Sequence, residues 1–106
     1  MPKSLCEPAH SYENIDKVKI NAVIEAMKRK GYEVTGDNPW QVDTQVSRVK
    51  LQGSWDETTL TFTVIVTDMR WPATCKKIWK ELDPFFEEIS LAEASDMEEI
   101  YKKFGL

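Results

Sequence analysis

Histidine occurs once in this chain, as His10, and cysteine twice, as Cys6 and Cys75. A nucleophile needs a base to activate it and a further group to orient that base. The chain has no nucleophile elbow, helical histidine pair, CxxC or phosphate-cradling glycine loop, so the usual arrangements are missing. Carboxylates alone can do acid–base work. The shortage therefore narrows the enzyme classes, and the expectation is a protein without catalysis.

Cys6 and Cys75 stand far apart, one in a polar tail and one in an expected helix. No disulfide framework or metal spacing can be read from them. Cys75 reads as a small buried apolar residue. Cys6 and His10 together offer only two of the four ligands zinc takes, so neither a metal nor a cofactor is expected. No apolar run approaches the roughly 18–20 residues of a membrane span. "MPKSLCEPAHSYEN" has no apolar core of a signal peptide. The expectation is a cytoplasmic protein that does not enter membranes.

What the chain does have is an ordinary globular composition, 42 % hydrophobic and 30 % charged over 106 residues, enough for one core. Its net charge of −4 argues against nucleic acid or anionic lipid as a partner. Residues 81–99 hold eight acids and no lysine or arginine. They read as a solvated acidic face, or else as a docking site for a basic partner.

Residues 1–14 read as a loose or docked tail and 15–106 as one α+β domain. Ile15, Val18, Ala22, Val23, Ala26 and Met27 recur at helical spacing and predict a helix from about Asp16 to Lys30, stopped by Gly31. Asn14 or Asp16 can cap its start. "YEVTG" predicts a short strand, and "GDNPWQVDT" a loop. A strand at about 46–55 alternates Val49, Leu51, Gly53 and Trp55 with Arg48, Lys50, Gln52 and Ser54. "TLTFTVIVTD" follows, with Leu60, Phe62, Val64 and Val66 on one face. A loop at 56–59 would oppose Trp55 with Leu60 and Gly53 with Phe62, the glycine making room for the ring. Pro72 suits the first turn of the next helix, which Pro84 either kinks or divides. Ser95 and Glu98 form a capping-box pattern for a short last helix. The predicted fold is helix, three-stranded antiparallel sheet and helices, with the helices packed on one sheet face.

Two surfaces stand out. Arg48, Lys50, Thr61 and Thr63 lie on the open sheet face, either as its wet side or as a contact surface for a protein partner. At one end of the sheet, Asp37, Trp40 and Asp43 are expected to approach Asp68, Arg70 and Trp71, lining a recess for a polar small molecule. The same residues also read as turn aspartates, a local Asp68–Arg70 pair and aromatic plugs of the core. Trp79 and Tyr101 sit on helical stripes, one of which could support a homodimer.

The order helix, three strands, helix over about residues 16–90 resembles the double-stranded RNA-binding domain. Lys76, Lys77 and Lys80 match that family's basic second helix only loosely, and Trp79 and the following acids depart from it. The functional expectation is a small non-catalytic protein-interaction or regulatory module. The alternative is a small-molecule binder or modest enzyme at the Trp40–Trp71 end.

Overall fold

The sheet extends beyond the segments that alternate in the sequence. The computed structural model describes residues 5–6, 8–93 and 96–106. Its elements are β1 (His10–Tyr12), α1 (Lys17–Arg29), β2 (Glu33–Gly36), β3 (Trp40–Asp43), β4 (Lys50–Asp56), β5 (Thr61–Asp68), α2 (Cys75–Leu91) and α3 (Met97–Lys103). They form an α+β fold with one antiparallel five-stranded sheet in the order β1-β5-β4-β3-β2. The three-stranded sheet expected from the sequence is therefore incorrect. The two additional strands are short and lie in polar segments. β1 falls in the segment read as a tail, where His10 and Tyr12 turn towards the helices and Ser11 turns away. β3 falls in the segment read as a loop, and buries only Val42 completely. With a strand ahead of α1 and four after it, the element order also departs from the RNA-binding domain it resembled.

The β4–β5 hairpin keeps the expected faces but slips by two residues: Trp55 opposes Phe62, Gly53 opposes Val64 and Leu51 opposes Val66. The loop is Glu57–Leu60. Asp56 Oδ1 accepts the Thr58 and Thr59 N–H groups, and Leu60 adopts φ 55°, which takes it out of the strand. An even slip preserves which side chains are buried. Phe62 still leans over Gly53, diagonally across the ladder.

Asp16 caps α1 by accepting the Lys19 N–H at 2.8 Å. The buried face of α1 includes Lys19 and Ile20, whereas Val18 is exposed. Lys19, only 3 % exposed, lays its stem in the core and donates its ammonium to the Ser90 carbonyl at 3.1 Å. That places a cation at the negative end of α2, whose own last turn has none. α2 is capped by Thr74, not begun by Pro72, and runs unbroken through Pro84. Phe85 and Phe86 on this helix meet Phe104 and Phe62, closing the core between helices and sheet. Tyr101 on α3 donates to the Ala22 carbonyl at 3.1 Å. Ser95, the start of the expected capping box, lies outside the described residues.

The N-terminal segment runs alongside α2. Cys6 and Cys75 form a disulfide, correcting the expectation of an unpaired buried Cys75. His10 stacks on Trp79 with ring centroids 3.7 Å apart, and Ser90 Oγ donates to the Glu13 carbonyl. The segment pairs with the β5 edge, where Leu5 N–H reaches the Val66 carbonyl at 2.8 Å. Among the described residues no helix is long and apolar enough to cross a membrane.

Candidate binding site

At one end of the sheet, two connections meet the start of α2. The β3–β4 connection places Gln45, Ser47 and Arg48 at φ 61°, 50° and 54°. None is glycine, so neighbouring bonds must hold this left-handed backbone. The Thr44 hydroxyl donates to the Val49 carbonyl at 2.9 Å, and Gln45 N–H donates to Asp43 Oδ1 at 2.8 Å. Arg70 N–H donates to the Ser47 carbonyl at 2.9 Å, tying this connection to the one that follows β5. Between them and α2 lies a recess of about 320 Å³, floored by Tyr32, Val49, Ile78 and Leu82 and rimmed by Lys77 and Glu81. Burial, then the Glu81 charge, raises the Tyr32 phenol pKa, so the hydroxyl stays protonated near neutrality. Val46, which lines the recess, is 64 % exposed, and Trp71, next in sequence to the lining residue Pro72, is 86 % exposed.

The structure divides the recess expected from the sequence. Asp43, Asp68, Arg70 and Trp71 lie at this end. Asp43 and Asp68 both oppose Lys50 in the ladder. Asp68 pairs with Arg48 at 3.6 Å, not with Arg70. Trp40 opposes Gly53, three ladder positions away, or roughly 10 Å along the strand. It is half-buried with its ring edge towards Phe62, and Asp37 lies in the turn beside it. Sequence reasoning thus found Trp71 but not Val46, which it placed in a strand, nor the apolar floor supplied by α2. The exposed Val-Ser dipeptide before Arg48 was the available signal.

Of the other surface expected to bind, Arg48 belongs to the end just described and Lys50 to its margin. Thr61 and Thr63 are half-buried on the sheet face that no described element covers. That face is a polar lattice: Gln41 Nε2 donates to Gln52 Oε1 at 3.1 Å, and the Ser11 and Thr63 hydroxyls are bonded at 3.0 Å.

A second polar cluster joins β1 to α2. His10 Nδ1 and the Tyr12 hydroxyl both bond Asp83 Oδ1, at 2.8 and 2.6 Å. Burial, the bond to Asp83 and the charges of Asp83 and Glu87 push the Tyr12 phenol pKa far up, keeping it a donor. The His10–Asp83 pair engages no serine, threonine or cysteine side chain among the described residues. By sharing the Asp83 carboxylate, His10 and Tyr12 tie β1 to α2. No group of three or more His, Cys, Asp or Glu among the described residues could hold a metal ion. Comparison with family models, curated proteins and solved structures returned no match.

Proposed function

We propose that this chain is a non-catalytic protein-binding module whose contact surface is the Trp71 end of the sheet. The observation that carries this reading is Trp71 itself, left 86 % exposed and next in sequence to Pro72, which lines an apolar recess. Tryptophan and arginine dominate binding energy at protein interfaces when they are buried at the centre of a contact. Arg70 precedes Trp71, its N–H bond to Ser47 brings the connection carrying Arg48 to this end, and these bonded loops hold the surface in shape before a partner arrives. The uncovered sheet face satisfies many of its polar groups internally, which suits contact with water.

The recess also supports a second reading, because about 320 Å³ is enough for a small apolar ligand. Native mass spectrometry of protein from its own host separates this reading by showing a small-molecule increment, not another polypeptide, on the 12.3 kDa chain. The Cys6–Cys75 bond favours an oxidising compartment over the cytoplasm expected from the sequence.

The protein reading is tested by capture from host extract with wild type, Trp71→Ala and Thr63→Lys as baits. A partner lost with Trp71→Ala and retained with Thr63→Lys is the expected result. Loss with Thr63→Lys alone moves the contact to the uncovered sheet face, and equal capture by all three rejects both surfaces.

A further inference from the structure

The two ends of the molecule carry opposite charge, and each exposes apolar side chains. α1 closes with Lys28, Arg29 and Lys30 at the recess end, and Arg48, Arg70, Lys76 and Lys77 stand nearby. Arg29, Lys30 and Arg48 are within ion-pair distance of Glu25, Glu81 and Asp68, whereas Arg70, Lys76 and Lys77 are paired with no acid among the described residues. At the other end α2 closes with Glu87 and Glu88, Glu93 and Asp96 follow, and α3 opens with Glu98 and Glu99. Among the described residues, Glu88 alone of these is paired, with Lys103 at 3.0 Å. Among the acids, Leu91 is 87 % exposed.

We infer that the occupant of the recess is Leu91 of a second copy of this chain, joined head to tail. This rests on the reading of the Trp71 end as a protein-binding surface and names its partner. A leucine side chain matches the apolar floor of the recess, which Val46 lines and Trp71 adjoins through the lining residue Pro72. Glu87 and Glu93 of the incoming copy then face Arg70 and Lys77, which have no acids of their own. The recess uses α2 only as far as Leu82, and the knob at Leu91 lies nine residues further on, roughly 14 Å along the helix, so no chain satisfies itself. The contact is heterologous: each pair keeps one free knob and one free recess, and continued addition gives a ring or an open chain.

Sedimentation velocity on the full oxidised chain tests this. The average mass rises with concentration, and association weakens about tenfold as salt is raised from about 0.05 M to about 0.5 M. Val46→Asp spoils the recess and Leu91→Gln removes the knob. Both positions are exposed, and circular dichroism checks that the variants fold. Each variant alone stays at the mass of one chain. An equimolar mixture forms a two-chain complex and nothing larger, because each partner brings one intact surface. A wild-type chain that remains single at every concentration, or a mixture no heavier than its components, overturns the head-to-tail contact. Capture with Trp71→Ala keeps the two ideas apart. A different protein lost with Trp71 preserves the binding reading while removing the second copy as occupant.

Discussion

Replacing Gly53 with alanine tests the packing that sets the sheet against the helices. A β-carbon on Gly53 would meet Phe62 Cε1 and Cζ, both at 2.7 Å. Unstrained carbon contacts lie at about 3.5–4.0 Å, so the ring must retreat by about 1 Å. It has little room, because Phe62 is fully buried with Phe86 and Trp40 at centroid distances of 5.7 and 6.5 Å. Overpacking costs about 1–3 kcal/mol, and the enclosure of this ring puts it in the upper part, about 2–3 kcal/mol. Removing glycine's freedom in the unfolded chain offsets about 0.5–1 kcal/mol. The net expectation is a loss of about 1–2 kcal/mol, which lowers the urea midpoint by about 0.5–1 M. Equilibrium unfolding followed by circular dichroism measures it. In a Phe62→Leu background the shorter side chain leaves space, and the penalty for Gly53→Ala should vanish or change sign. Equal stability of Gly53→Ala and wild type, or an undiminished penalty in the Phe62→Leu background, refutes the reasoning.

The Cys6–Cys75 bond closes a loop with a sequence separation of 69, and replacing both cysteines with serine should lower stability by about 2–4 kcal/mol. Thermal unfolding with and without a dithiol reductant checks this. Burial raises the phenol pKa values of Tyr12, Tyr32 and Tyr101, so the unfolded chain loses those protons first. Stability is therefore full below about pH 10 and falls as the pH rises beyond it. Tyr12→Phe should flatten that alkaline decline while costing about 1–2 kcal/mol at neutral pH for the lost bond to Asp83. Urea titrations at neutral and alkaline pH measure both effects. Thr44→Val deletes the hydroxyl that donates to the Val49 carbonyl, with an expected cost of about 1–2 kcal/mol. Amide exchange should quicken through residues 44–49 and stay unchanged in the middle of α2.

Long periodic stretches made the helices and the inward faces of β4 and β5 legible. Short segments did not. β1 and β3 have three and four residues, and each shows too little alternation to compete with the prolines and aspartates around it. Leu60 looked like a strand residue because it is apolar; its positive φ, set within a loop braced by Asp56, is a three-dimensional property. Lys19 interrupts the apolar face of α1 for a similar reason, since its partner carbonyl lies 71 residues away. The disulfide was hidden by the same kind of distance. At the candidate site, Arg70 and Trp71 were legible as residue types. Their neighbours were not, because the predicted recess drew Trp40 from the wrong end of a strand that had not been recognised.

The pairing of β1 with β5 bears on how the chain folds as it is made. Ser11 meets Thr63 across a separation of 52 residues, and the strand that β1 pairs with in the sheet is β5, the last one made. During synthesis α1 can wind early, but residues 10–12 have no place to go until the last strand has emerged. The contacts of Cys6, His10, Tyr12 and Asn14 with α2 come later still. Such late closure of distant segments slows folding, and it leaves the β5 edge bare in any chain that has finished its hairpins before recovering its first strand. An unpaired edge of that kind is a template for other chains. The nascent protein is thus most exposed to misassembly just when most of its core is already in place.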